Sequence, residues 1–150
     1  MRVLSAFALA AAAVLVAGRG LDAQDGAKLP SRPDLKSKEW KKLPSGVEVW
    51  DAKVGTGAAA KSGDTVTIHY TGWLTDADGS MFDSSVKRGE KAEFPLDNLI
   101  KGWQVGIPGM KVGGVRRLRI PPDLAYGARG RPGIPANSTL VFEIELLESK

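Results

Sequence analysis

Asp97-Asn98-Leu99-Ile100-Lys101-Gly102-Trp103 sets the architecture expected of this chain, because it is the one convincing amphipathic helix after residue 45. Leu96, Leu99, Ile100, Trp103 and Ile107 recur at helical spacing and form one apolar stripe. Asp97 is the expected N-cap, since its carboxylate can accept from the orphan N–H groups of a first turn. Gly106, Pro108 and Gly109 then end the helix. A lone helix among strands lies across a sheet and closes its core. Trp103 is expected to form the floor of a ligand pocket there. From the helix alone, a Trp that simply fills the core is the better reading.

Working outward, the remaining segments alternate. Thr65 to Leu74 is the strongest strand, rich in β-branched and aromatic residues, with Val66, Ile68 and Tyr70 on one face. Further strands are expected at Gly46–Asp51, Lys91–Leu96, Val115–Ile120 and Thr139–Leu146, and the Asp76–Gly79 turn precedes Met81–Ser85. Pro95 marks a strand end or a sheet edge. A loop rich in Gly and Pro spans 123–138. The prediction is an α+β domain: a twisted antiparallel β-sheet with one short α-helix across its concave face, over residues 43–150.

Two segments precede that domain. Met1-Arg2 and the apolar run Val3–Ala17 predict a secretory signal over residues 1–23, with cleavage after either Gly18 or Ala23. A run of roughly 15 residues is shorter than the roughly 20 that span a bilayer, so stable membrane insertion is not expected. An uncleaved, membrane-anchoring N-terminus is the competing reading. The mature protein is expected outside the cytoplasm, periplasmic or extracellular. Residues 24–42 change to Lys, Ser, Pro, Asp and Gly without periodicity and read as a flexible arm. Trp40 is either an exposed linker residue or the point at which the arm docks.

Composition narrows the chemistry. With 43% hydrophobic and 25% charged residues in 150, the chain is an ordinary globular domain. The net charge of +4 comes from Lys and Arg interspersed with Asp and Glu, which argues against nucleic-acid binding. The absence of cysteine removes disulfides and thiol nucleophiles. Any triad would rest on the single histidine, His69, which faces away from the Val66/Ile68/Tyr70 side; no metal site is expected. Asp76, Asp78, Asp83 and Gly79 do not make a calcium loop. Arg129 and Arg131, among the loop glycines, could attract acidic substrates or serve as solvated charge. What remains is a convergence of Tyr70, Phe82, Phe94, Ile100, Trp103, Tyr126 and Phe142. Phe82 and Tyr126 lie in segments too irregular to be core strands, and a loop tyrosine keeps its phenol available for a partner. An apolar cleft with a few placed donors is how small ligands are held.

Five motifs then occur in order: Val66-Thr67-Ile68-His69-Tyr70-Thr71-Gly72, Phe82-Asp83-Ser84-Ser85, Leu99-Ile100-Lys101-Gly102-Trp103, Pro122-Asp123-Leu124-Ala125-Tyr126-Gly127, and Ile134-Pro135 with Ser138-Thr139-Leu140-Val141-Phe142. Together they resemble the FKBP-type peptidyl-prolyl cis-trans isomerases, close to the exported bacterial kind. The resemblance implies a half-open sheet wrapped on the short helix, rotamase activity on Xaa-Pro bonds of folding proteins, and no cofactor. It implies that Tyr70, Phe82, Asp83, Ile100, Trp103, Tyr126 and Phe142 act on the substrate. Phe94, Leu99 and Ile134 would shape the pocket, and Arg88 would pair with Asp83. It also implies donation to substrate carbonyls from the Ile100 N–H and the Tyr126 hydroxyl, and binding of tacrolimus- or rapamycin-type macrolides. Three departures bear on substrate preference: Ala92 where relatives often carry an aromatic, a shorter Phe94–Ile100 segment, and Ala136-Asn137 at the loop tip. A non-catalytic proline-segment binder and a holdase chaperone are the alternatives. The short, Pro-interrupted arm favours a monomer.

Overall fold

The structure is a computed structural model that describes residues 28–150. The expected signal segment and the first residues of the arm lie outside the described residues.

Seven antiparallel strands form one sheet: β1 (Lys41–Lys42), β2 (Glu48–Lys53), β3 (Thr65–Leu74), β4 (Met81–Ser84), β5 (Ala92–Pro95), β6 (Val115–Ile120) and β7 (Leu140–Ser149). The order is β1-β2-β6-β7-β3-β4, and β5 pairs with β3 beside β4. The expected strand at 65–74 has those bounds, because its β-branched alternation leaves no competing conformation. It is also the hub: β7 pairs along its whole length, from Val66 opposite Ser149 to Leu74 opposite Leu140. On its other edge β5 pairs with Thr65–Ile68 and β4 with Thr71–Trp73. The fold is therefore the α+β arrangement expected. Phe82, expected in an irregular segment, lies instead within β4.

The helical region differs from the sequence expectation. A 3-10 turn covers Leu96–Asn98, Leu99 and Ile100 are extended, and the α-helix runs over Lys101–Gly106. Asp97 caps nothing with its side chain, and Ile100 occupies the N-cap position without a side-chain hydrogen bond. We call this helix α2; a one-turn helix, α1 (Ser85–Arg88), precedes it and is capped by Ser84. The apolar stripe is consequently broken. Leu96, Trp103 and Ile107 are buried, whereas Leu99 and Ile100 stand half-covered on the extended joint. Gln104 fixes the joint by donating from Nε2 to the Leu99 carbonyl at 2.8 Å.

Gly102 and Gly106 are the underside of α2. A Cβ on Gly102 would lie 2.4 Å from Ile120 Cγ2, and one on Gly106 2.7 Å from Leu118 Cδ2. The helix thus rests directly on β6, which aims Trp103 into the core formed by Val66, Ile68, Tyr70, Leu118, Ile120, Phe142 and Ile144.

The described part of the arm lies along the sheet. Arg32 donates to the Leu74 and Asp76 carbonyls at 2.9 and 3.0 Å, and Arg119 donates to the Leu35 carbonyl at 2.9 Å. Trp40 packs edge-on against Trp50 at 5.5 Å, under the Arg119 guanidinium at 4.7 Å. On the same side Arg117 and Arg119 pair with Glu143 and Glu48, whereas Arg116, on the α2 side of β6, pairs with Asp51 and donates to the Gly106 carbonyl at 2.9 Å. Such partly exposed pairs contribute little individually.

Candidate functional site

The centre of the site is an aromatic cage. Trp103, only 4% exposed, meets Tyr70, Phe94 and Phe142 in tilted or edge-on contacts at 5.4, 6.3 and 5.0 Å between ring centroids. Phe82 adds an edge-on contact to Phe142 at 5.5 Å. Edge-to-face packing suits ring quadrupoles and leaves ring faces available to a ligand. Glycine at position 72 permits this arrangement, since a Cβ there would fall 2.6 Å from Phe82 Cζ and 2.7 Å from Phe142 Cε1. Sequence reading passed over Gly72 and Gly102; a glycine inside an otherwise regular strand or helix is the signal that marks such close approaches.

One wall is polar. The Tyr70 hydroxyl donates to Asp83 Oδ2 at 2.6 Å, and Arg88 pairs with Asp83 while donating to Tyr70 Oη at 3.0 Å. The Asp83–Arg88 pairing expected from the resemblance is present. Burial pushes the Asp83 carboxyl up, but the Tyr70 and Arg88 hydrogen bonds and the Arg88 charge outweigh it and hold the pKa below the ordinary carboxylate value. Burial and the Asp83 bond push the Tyr70 phenol up, so it remains a neutral donor. The triad is therefore a fixed charge pattern rather than an acid–base pair.

The lip carries two free donors. Among the described residues nothing accepts from the Ile100 backbone N–H, because the extended Leu99–Ile100 joint takes it out of helical bonding. Tyr126 follows the 3-10 turn Pro122–Leu124 and lies under the Arg131 guanidinium, whose Nη1 donates to the Tyr126 oxygen at 3.1 Å. The Tyr126 hydroxyl hydrogen thus has no acceptor of its own among the described residues. Leu99, Ile100, Phe82, Phe94 and Tyr126 are partly exposed and pack against the core to which the cage belongs, and Ile134 is buried in that core. Ring contacts and hydrogen bonds thus join Tyr70, Phe82, Asp83, Arg88, Phe94, Trp103 and Phe142, whereas Leu99, Ile100, Tyr126 and Ile134 share only the core against which they pack.

The indole N–H of Trp103 is buried without a hydrogen-bond partner among the described residues. Surrounding rings offer only weak π acceptance. Two concavities lie apart from the cage. One, of about 90 Å³, is lined by Asp51, Met110 and Arg116. The other, of about 260 Å³, lies behind the sheet against His69, Glu143 and Glu145. His69 faces that side, as expected, and shares a 2.9 Å hydrogen bond with Ser85 Oγ.

Comparison with known proteins agrees with this geometry. Residues 57–147 match the family described as FKBP-type peptidyl-prolyl cis-trans isomerase. The chain is 54% identical over 113 residues to FK506-binding protein 4 of Chaetomium thermophilum, covering 73% of this chain and 22% of that protein. It is 48% identical over 115 residues to the FKBP-type isomerase FkpA of Escherichia coli K12, covering 77% of this chain and 42% of that protein. The crystal structure of E. coli FkpA superposes with a TM-score of 0.71 at 48% identity, over 77% of this chain and 53% of that one. The crystal structure of AtFKBP13 does so with a TM-score of 0.68 at 40% identity, over 75% of this chain and 99% of that one. The chain thus spans less than half the length of these two curated relatives. With the matched segment running through every strand from β3 to β7 and around the aromatic cage, this chain belongs to the FKBP-type peptidyl-prolyl cis-trans isomerase family.

Proposed function

We propose that this protein accelerates rotation about Xaa-Pro peptide bonds of polypeptide substrates by non-covalent binding in the Trp103 cage. The observation that carries this reading is the apolar cage, together with an Ile100 N–H that has no acceptor among the described residues. Rotation about a peptide bond faces a barrier of roughly 18–20 kcal/mol that amide resonance sustains. For Xaa-Pro the two isomers are close in energy, and exchange takes roughly tens to hundreds of seconds. A dry pocket disfavours the dipolar planar amide relative to the twisted transition state, in which the nitrogen loses its conjugation. No nucleophile, metal or cofactor is required for this.

In this reading the proline ring rests on the Trp103 indole between Tyr70, Phe82 and Phe142. Phe94, Leu99 and Ile134 shape the surrounding wall. The Ile100 N–H and the Tyr126 hydroxyl donate to substrate carbonyls and hold the twisted conformer. Asp83, fixed by Tyr70 and Arg88, faces the twisting imide. Each roughly 1.4 kcal/mol taken from the barrier is tenfold in rate, so modest differential binding suffices. Tacrolimus- or rapamycin-type macrolides would compete for the same cage.

The N-terminal composition supports export, with proline-containing client proteins outside the cytoplasm. No helix among the described residues is long and apolar enough to cross a membrane. The short arm, interrupted by Pro30 and Pro33, supports the monomer as the working unit. The test is refolding of a protein limited by proline isomerisation, with and without the macrolide. Acceleration that the macrolide abolishes is expected; refolding at the uncatalysed rate by folded protein would overturn the proposal.

A further inference from the structure

Arg131 differs from the arginines of β6 in the partner it meets. The β6 arginines each meet a carboxylate, at Asp51, Glu143 and Glu48. Arg131 has none within ion-pair distance among the described residues. Its guanidinium instead stacks over the Tyr126 ring at 5.0 Å and donates to the Tyr126 oxygen at 3.1 Å.

The backbone beneath it is tightly built. Arg131 and Ile134 exchange both backbone hydrogen bonds, at 2.9 and 2.8 Å, around a Pro132-Gly133 turn with Gly133 at φ 85°. Ile134 is buried in the core, and Gly130 N–H returns to the Tyr126 carbonyl at 3.0 Å. An exposed guanidinium on a pinned hairpin is poised to act on the adjacent hydroxyl.

A tyrosine oxygen has one hydrogen to give and lone pairs to receive. Donation from Arg131 occupies a lone pair, keeps the hydroxyl hydrogen away from the guanidinium, and polarises the O–H as a donor. The same cation faces whatever chain segment the hydroxyl binds. We propose that Arg131 is a positioning and selectivity residue: it orients the Tyr126 hydroxyl toward the substrate carbonyl and favours an acidic side chain immediately before the substrate proline. This rests on the proposed isomerase reading of the cage and adds its substrate class.

The test compares three otherwise identical peptides, Ala-Glu-Pro-Phe, Ala-Gln-Pro-Phe and Ala-Lys-Pro-Phe, for cis–trans exchange and for binding seen at the Trp103 indole NMR signal. At low salt the wild type should prefer Glu over Gln, and Gln over Lys, each by about two- to fivefold. The preference should shrink in about 1 M salt, where the Debye length falls to roughly 3 Å. Arg131→Ala should lose the ordering, whereas Arg129→Ala, two residues away on the same loop, should keep it. Arg131→Lys should keep the charge preference but lower kcat on the Gln peptide, and it should add nothing further when combined with Tyr126→Phe.

Equal acceleration and equal binding of the three peptides, or an ordering that survives in Arg131→Ala, would overturn the inference. Binding that keeps the Glu preference with no acceleration on any peptide would support the inference and sink the isomerase reading. No binding of any peptide by folded protein would overturn both.

Discussion

Replacing Trp103 by leucine should cost both stability and rate, in amounts the cage allows to be worked out. The indole is 4% exposed and holds three aromatic partners at 5.4, 6.3 and 5.0 Å. Aromatic pairs contribute about 0.5–1.5 kcal/mol each beyond burial, so losing three removes roughly 1.5–4.5 kcal/mol. Leucine retains much of the apolar transfer term, which places the net loss at about 2–3 kcal/mol, against roughly 3–5 kcal/mol for alanine. A domain with roughly 5–15 kcal/mol of stability survives that change. Urea unfolding reads the first effect. The second is catalytic: without the flat indole the proline ring loses its floor, and kcat/KM should fall at least about tenfold, equivalent to about 1.4 kcal/mol. Lower stability with an unchanged rate would refute the floor assignment and leave Trp103 a core residue. Full stability with no activity would refute the packing half, because the indole would then face only the ligand.

Three further outcomes follow from the same geometry. Gly102→Ala places a Cβ 2.4 Å from Ile120 Cγ2, so overpacking should destabilise by about 1–3 kcal/mol and lower Tm, with the rate falling as Trp103 is lifted; an unchanged Tm would contradict the direct contact of α2 with β6. Trp40→Ala removes the Trp50 contact and the Arg119 stacking, and should cost about 1–2 kcal/mol. It should speed hydrogen exchange over residues 28–42 and leave peptide isomerisation unchanged; unaltered exchange would show that the arm is not held by Trp40. Stability should also fall on acidification in two windows. Burial holds the His69 pKa below its ordinary value, with Glu145 opposing and Lys91 adding to the shift, while Ser85 shares its Nδ1. His69 therefore stays neutral in the fold as the unfolded chain takes up protons, and stability is lost as pH falls below about 6.5. Asp83 has a depressed folded pKa, so its contribution is present at neutral pH and is lost further down, as pH falls through that value. His69→Gln should flatten the upper window only, in urea midpoints measured from pH 7 to 4; the same slope in the variant would remove His69 from the account.

The fold was legible where one signal dominated. β3 reads directly from alternation because Val66, Ile68 and Tyr70 all meet the same core, and β6 reads from Leu118 and Ile120 in the same way. The helix was legible in existence but not in bounds. Leu96, Leu99, Ile100 and Trp103 satisfy a helical period, yet the chain turns in 3-10 form at Leu96–Asn98 and straightens before α2 begins. Periodicity records which residues meet apolar surroundings, and an extended joint can deliver Leu99 and Ile100 to such surroundings as well as a helix can. That departure bears on the site, since the joint is what frees the Ile100 N–H. Phe82 was misplaced because Met81-Phe82-Asp83-Ser84 is too short to show alternation, though its pairing with β3 makes it a strand. The Tyr70–Asp83–Arg88 cluster could not be assembled from spacing, because Tyr70 reaches Asp83 only across the β3–β4 ladder. Here the family resemblance carried the pairing of Asp83 with Arg88. The placement of Arg131 against Tyr126 depends on the Pro132-Gly133 turn, whose backbone the sequence suggests but whose side-chain direction it leaves open.

The central claim is that the cage catalyses rotation rather than merely holding proline. Exchange NMR on an Xaa-Pro peptide, with the protein at about one hundredth of the peptide concentration, separates the two. A catalyst must accelerate both directions equally, so the account predicts faster exchange with an unaltered cis fraction and loss of the effect on adding the macrolide. Exchange at the uncatalysed rate, with the cis fraction shifting only as the protein approaches stoichiometric amounts, would contradict it and make the cage a binding site for one isomer.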